Sequence, residues 1–307
     1  MSDTTTETSI SDLVAEVARL REDVAAAQRL AQRAEDRGQV ENLFNRYMFL
    51  HNAFEDEQII PLWVKEGTEG IRARYTNAGQ YTTWESVTRY HRDRPHPVGK
   101  LILHAATTPV IEVAGDGESA KGVWIMAGTE SGLTDPAVAE EFPDMYSPKE
   151  VLGKKVWAHW VWCKYAVDFL KQDGEWKFWK FRCYELARAP FEENWISFGL
   201  KNQGAFDLDL MYFGDDGKPV FMPPADEPAP SENHPYSPET VQKLEPAPPR
   251  GTTPSSTRTS RRGPWQPTTP SSPRRMCGAR RTASPSRCSS PGTAACGCPR
   301  STASPRR

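Results

Sequence analysis

Long apolar runs are missing from this 307-residue chain. No stretch approaches the roughly 18–20 consecutive apolar residues that span a bilayer, which argues against a membrane partner. Residues 1–12 are polar and lack the basic-then-apolar order of a secretory signal. The expected compartment is therefore the cytoplasm. Cysteine is scarce too: Cys163 and Cys183 lie in the body of the chain, Cys277, Cys288, Cys296 and Cys298 near its end. Two cysteines inside aromatic strands are expected as reduced, buried thiols rather than as a disulfide framework. Residues 251–307 contain no Leu, Ile, Val, Phe or Tyr, and no Lys, Asp or Glu. Such a segment cannot offset its ordering entropy and is expected to be disordered.

The near-neutral net charge of −2 conceals a division. Twelve arginines fall within 250–307, which leaves the preceding 249 residues with 26 basic against 40 acidic side chains, or −14. An acidic body disfavours nucleic acid as a partner, and the C-terminal arginines lack interleaved lysines and aromatics. A zinc site is disfavoured as well, because a single residue separates Cys296 from Cys298 and no His lies in that segment. Arg, Pro, Ser, Thr, Ala, Gly and Cys are what GC-rich DNA encodes out of frame. The abrupt change after Pro249 thus points to a frameshifted or otherwise unselected C-terminus.

The body has a clear order. Ile10, Leu13, Val17, Leu20, Val24, Ala27, Ala31 and Ala34 recur at alternating spacings of three and four, a heptad seam flanked by Glu, Asp and Arg. Two readings stay open for it: a helix that joins subunits, or one that lies on its own domain. Gly38 interrupts the pattern, and a second helix is expected over 39–54. There Phe44, Tyr47, His51 and Phe54 fall within about 40° of Val40 on the helical wheel, with Asn52 on the margin. Tyr47 and His51 on an inward face need polar partners, either in the core or in a pocket lining. Residues 58–100 read as a short helix, a loop with Gly79 and a helix over 83–91, with His91 and His96 solvated.

From Lys100 the period becomes two. Residues 109–114 and 120–126 flank Gly115-Asp116-Gly117 as a hairpin, and 128–154 read as a polar insertion, a lid or edge loop. Two long aromatic strands, 155–170 and 175–186, meet at Asp173-Gly174, a favoured two-residue hairpin turn. With Gln172 facing Glu175, Tyr165 faces Arg182. Trp157, His159 and Tyr165 then share one face with Lys180 and Arg182, while Trp160, Trp162, Trp179 and Phe181 take the other. Beyond Pro190 the chain is irregular, and 223–249 is acidic and proline-rich, suited to wrapping a neighbour.

Helices followed by a curved antiparallel sheet make an α+β plan. The segment from His104 through Ala-Ala-Thr-Thr-Pro-Val-Ile-Glu-Val-Ala-Gly to Asp116, the helix from Val40 to Tyr47 and the hairpin at Asp173-Gly-Glu-Trp-Lys-Phe together resemble the SnoaL-like branch of the nuclear transport factor 2-like superfamily. The resemblance covers about residues 35–198. It implies a cone of sheet and helices around an apolar cavity. Flanking it would be an N-terminal coiled-coil-like helix (1–34), a proline-rich wrapping extension (199–249) and the arginine-rich segment (250–307). The family holds dehydratases, a dehydrochlorinase and polyketide cyclases alongside members with no chemistry. By resemblance, Tyr47 matches the dehydratases' helix Tyr, His104 their strand-opening His and Arg182 an Arg of the last strand. Their helix Asp is absent, since His51-Asn52 stand in its place.

A neutral imidazole suits proton abstraction near pH 7, and a positioned general base contributes roughly 10²–10⁴ in rate. His104 is the candidate base. Tyr47, or Tyr165 with Arg182, would donate to a developing enolate or leaving hydroxyl, His51 would relay, and His159 is a second candidate base. Phe44, Asn52, Trp124, Trp157 and Tyr165 are the expected substrate-binding residues. Nothing in the His spacing requires a metal, and no cofactor is implied. Three functions follow. The first is a cofactor-independent lyase or isomerase acting on a hydrophobic oxygenated small molecule. The second is a non-catalytic binding or assembly protein of the same fold, a dimer or trimer. The third is an arginine-dependent nucleic-acid binder, whose salt-sensitive binding would vanish on truncation at Pro249.

Overall fold

The computed structural model describes residues 9–75, 78–94, 96, 98–133, 149–197, 210–213, 219–228 and 236–250. The arginine-rich segment 251–307 and the centre of the expected insertion, 134–148, lie outside the described residues. So do residue 198 and, in the expected wrapping extension, 199–209, 214–218 and 229–235.

One helix, α1 (Ile10–Asn52), replaces the two expected. Ser9 starts it with a reciprocal cap: its hydroxyl accepts from the Asp12 N–H at 3.1 Å, and the Asp12 carboxylate accepts from the Ser9 N–H at 3.1 Å. Gly38 does not end it. An interior Gly costs about 1 kcal/mol relative to Ala but stops a helix only in a left-handed cap conformation, and Gly38 keeps helical geometry with open space around it. Val40, Leu43, Phe44, Tyr47, Met48 and His51 are buried, as the 3.6-residue period requires. Residues 10–35 contain no buried side chain.

After α1 come a short helix α2 (Asp56–Ile59) and a 3₁₀ turn (Ile60–Leu62). Two strands absent from the sequence expectation follow, β1 (Arg72–Tyr75) and β2 (Gly79–Tyr81). At three or four residues each, they are too short to show a period. Helix α3 (Trp84–Arg92) is capped by the Thr83 hydroxyl, which accepts from the Ser86 N–H at 3.0 Å. The long strands are β3 (Leu101–Val113), β4 (Ser119–Leu133), β6 (Lys154–Gln172) and β7 (Glu175–Pro190), with a short β5 (Lys149–Val151). The curved, unclosed sheet runs β2-β1-β7-β6-β4-β3, with β5 on β6. Its pairs are antiparallel except β1 on β7, which is parallel. A separate pair, β8 (Leu210–Phe213) and β9 (Pro219–Phe221), stands apart. No helix among the described residues is long and apolar enough to cross a membrane.

The β6–β7 hairpin turns at Asp173 and Gly174, both at positive φ (52° and 82°), as a two-residue primed turn demands. The expected register holds from Gln172↔Glu175 to Phe169↔Phe178. A bulge then leaves Trp179 unpaired, and the register slips so that Asp168 faces Lys180 and Tyr165 faces Cys183, not Arg182. A one-residue slip exchanges faces. Phe181 and Cys183 turn inward, while Lys180 and Arg182 leave the face of Tyr165. Phe44, Phe178 and Phe181 are fully buried with Trp124 beside them, each contributing roughly 1.5–3 kcal/mol. The opposite face of β6 meets the chain beyond β7, where Trp160 stacks on Phe191 at 5.3 Å and Trp162 lies 4.8 Å from Trp195. Residues 222–228 pack against β2 and α3: the Tyr81 hydroxyl donates to the Pro223 carbonyl at 2.6 Å, and the Asp226 carboxylate accepts from Ser86 at 2.6 Å.

Candidate active site

The concave face of the sheet and α1 enclose a cavity of about 50 Å³, lined by Tyr47, His51, Tyr75, Tyr90, His104, Met126, Glu130, Val161, Cys163, Tyr165, Cys183, Glu185 and Arg188. Met126, Val161, the two cysteines and the tyrosine rings make much of its wall apolar, and His51, His104, Glu130, Glu185 and Arg188 add polar groups to it. Tyr75 and Tyr90 stack at 4.1 Å to form one side. Four expected site residues meet here: Tyr47, His51, His104 and Tyr165. Both cavity cysteines are free thiols.

His104 sits on β3 opposite Gly128 of β4. A Cβ at Gly128 would collide with the Leu103 carbonyl and the His104 ring, so glycine makes room for the imidazole. Two residues further along β4 and on the same face lies Glu130, buried, with Oε1 3.3 Å from His104 Nε2. Glu130 also takes Lys100 Nζ at 3.0 Å and an Arg188 NH2 group at 3.3 Å, and Arg188 reaches Glu185 at 3.2 Å. Two cations and two carboxylates thus balance within the protein. Burial alone would raise the Glu130 carboxyl, but Lys100 and Arg188 outweigh it and hold the group well below the usual carboxylate range. Burial pushes Lys100 down to about 8, with Glu130 opposing the shift. Burial also lowers His104, assisted by Arg188 and Lys100 against Glu130, so the imidazole is neutral at pH 7. His104 Nδ1 is buried without a hydrogen-bond partner among the described residues.

Asn52 clasps the backbone of His104. Its side-chain amide donates to the His104 carbonyl at 3.0 Å, and its side-chain oxygen accepts from the His104 N–H at 3.1 Å. A carboxylate has no donor and would lose half of this pair. Asn52 thus fixes the strand, and the carboxylate beside the ring comes from β4.

The rings of His51 and His104 lie 5.4 Å apart, and Tyr47 stacks on His51 at 5.5 Å. Arg94 approaches His51 Nδ1 at 2.7 Å and can only donate, which places the His51 proton on Nε2. Burial, then Arg94, holds His51 far below its ordinary titration range. Burial raises the Tyr47 and Tyr165 phenols, so both remain protonated donors. His91, expected in solvent, is instead fully buried. Its Nε2 accepts from the Trp63 indole N–H at 3.1 Å, and its Nδ1 lies 3.6 Å from Asp56. His96 is half exposed and reaches Asp56 at 3.2 Å.

The remaining expected residues lie elsewhere. Arg182 faces away from the cavity wall and donates to Asp168 at 2.8 Å, a consequence of the Trp179 bulge. His159 is buried opposite Glu130 in the β4–β6 register, edge-on to Trp157 at 5.3 Å. Trp157 carries Lys100 Nζ 4.3 Å from its ring centre. Both back the ion cluster rather than line the cavity. Phe44 and Trp124 stack face to face at 3.9 Å within the core. Among the described residues, no three His, Cys, Asp or Glu side chains converge as metal ligands.

Glu130, Lys100 and Arg188 were not anticipated. Glu130 is readable in principle, since Trp124, Met126, Gly128 and Glu130 alternate along one strand, and the polar run after Met126 hid nearly half of it. Arg188 lies beyond two register shifts, at Asp168/Phe169 and Trp162/Cys163, and alternation does not reach it.

Residues 32–182 match the family model of the SnoaL-like domain. Solved structures similar to the chain include a type-2 hexachlorocyclohexane dehydrochlorinase, LinA, at 13% identity, covering 53% of this chain and 94% of that one, TM-score 0.40. A scytalone dehydratase-like protein from Novosphingobium aromaticivorans is 13% identical over 54% of this chain and 93% of its own, TM-score 0.40. A third, LinA-type3 from Novosphingobium barchaimii, is 14% identical over 53% and 95%, TM-score 0.39. No curated protein matches the chain. Residues 32–182 are thereby recognised as a SnoaL-like domain.

Proposed function

We propose that the domain is a cofactor-independent lyase or isomerase in which His104, oriented by Glu130, is the general base. The observation that carries this reading is the buried His104–Glu130 approach of 3.3 Å beside a cavity that His104, Tyr47, His51 and Tyr165 all line. With the ring proton on Nε2 toward Glu130, Nδ1 is the lone pair that accepts a substrate proton. The approach is longer than a full hydrogen bond, and such contacts commonly tighten once substrate binds. Glu130, ionised, stabilises the imidazolium that forms. Tyr47 and Tyr165 donate to the oxygen on which charge develops, and His51 Nε2–H stands ready for a leaving hydroxyl. The substrate class that fits is a small oxygenated molecule whose C–H is acidified by a carbonyl.

Size favours a second reading. An apolar cavity of about 150 Å³ accommodates benzene, and this one measures about 50 Å³. A ring ligand enters only if wall side chains move, whereas a non-catalytic assembly domain requires no such opening. Incubating the full chain with hydroxy-ketone and enolisable-ketone candidates separates the two. Turnover that disappears in His104→Ala with unchanged circular dichroism supports the enzyme. Binding without turnover, or turnover indifferent to His104→Ala, rejects it.

A further inference from the structure

We propose that residues 10–34 of α1 pair with the same residues of a second copy of this chain as a parallel two-stranded coiled coil. This stretch of helix extends about 37 Å at 1.5 Å per residue and has no buried side chain. Ile10, Leu13, Val17, Leu20 and Val24 are 81, 54, 47, 47 and 56% exposed. A helix gains most of its stability in a protein by packing an apolar face, and the exposed ion pairs of Arg19 with Glu16 and Asp23 add little. The stripe therefore calls for a partner.

Its chemistry specifies which one. In heptad notation the a positions are Ile10, Val17, Val24 and Ala31, and the d positions are Leu13, Leu20, Ala27 and Ala34. β-Branched residues at a with Leu at d are the combination that favours two parallel strands. The flanking charges agree. Glu16 and Asp23 hold g positions, Arg21 and Gln28 hold e positions. In a parallel pair each g residue meets the e residue of the following heptad in the other copy. Glu16 then faces Arg21 on both sides of the seam, and Asp23 faces Gln28. In an antiparallel pair g faces g, and registers that stack the large apolar residues on one another set Glu16 against Glu16 or Asp23. The seam thins to alanine from Ala27 onward, and from Asp36 the same helix turns its buried side chains to its own core.

Sedimentation equilibrium of the full chain tests this. The expected mass is twice 34.4 kDa. Leu13→Glu combined with Leu20→Glu weakens the dimer by at least about 100-fold, and because both residues are exposed, the aromatic near-UV spectrum of the domain is retained. Glu16→Arg alone weakens the dimer, and Glu16→Arg with Arg21→Glu restores it. Oxidising Val17→Cys with diamide joins the two copies position 17 to position 17, read by peptide mass spectrometry. A monomer, a larger oligomer or a dimer that survives the Leu13/Leu20 double change overturns the proposal. So does a charge exchange that fails to restore pairing, or a cross-link from position 17 to any other place.

Discussion

Two buried histidine–carboxylate groups flank the end of α1 and differ in what surrounds them. His91 stands against Asp56, with Arg94 bonded to the same carboxylate at 2.8 Å. His104 stands against Glu130, with Lys100 and Arg188 on the same carboxylate. Ingredients and burial are alike. Yet His91 accepts from the Trp63 indole on Nε2 and keeps Nδ1 3.6 Å from Asp56, away from the cavity lining. His104 keeps Nδ1 uncommitted, and its ring lines the cavity. What separates the two groups is position: the His104 ring lines the cavity and the His91 ring does not. His51 joins the two groups, held by Arg94 on one side and 5.4 Å from His104 on the other.

The contrast is breakable by substitution. The largest expected effect is on chemistry: His104→Ala lowers turnover by about 10²–10⁴, whereas His91→Ala lowers stability and leaves turnover per folded molecule within a few-fold, both read from initial rates corrected for the folded fraction. Next, Glu130→Gln and Asp56→Asn each strand buried cations and destabilise by about 3–5 kcal/mol in urea unfolding. Only Glu130→Gln is expected to reduce turnover beyond the loss of folded protein. A smaller effect, about 1–3 kcal/mol, follows Asn52→Asp, which removes the donor to the His104 carbonyl and leaves the acceptor to its N–H. Equal stability for Asn52→Asp would show that the clasp contributes nothing.

The last prediction concerns acid. His51, His91 and His104 all have pKa values lowered by burial from the ordinary 6.5. The unfolded chain binds more protons than the folded one below that value. Stability from these groups is therefore full above about pH 6.5, declines as pH falls from there toward the lowered native values and levels off below them. Urea midpoints measured from pH 7.5 downward check the sign; a midpoint that rises on acidification contradicts it.

The sequence shows the fold where a period is long enough to register. The inward face of α1, the Gly115–Gly117 and Asp173–Gly174 turns, the two strands of the last hairpin and the inner halves of β3 and β4 are legible. Four-residue β1 and three-residue β2 carry no usable period and pass as loop. Gly38 misleads because a glycine marks a helix end only when its backbone turns left-handed, which composition does not reveal. For the site, Tyr47, His51 and His104 are legible from helix spacing and family resemblance, and Tyr165 from alternation. Arg182 is misplaced because one unpaired residue, Trp179, exchanges the faces of β7 beyond it. Glu130 escapes because a carboxylate in a polar run looks like a loop residue until a cation from Lys100 and another from Arg188 are known to meet it.

The unbroken helix has a mechanical side. With no hinge at Gly38, α1 is a lever of 43 residues, and Tyr47, His51 and Asn52 ride on its short arm. Asn52 grips the strand that bears His104, so the exposed stripe near Ile10 and the residues beside the imidazole belong to one continuous helix.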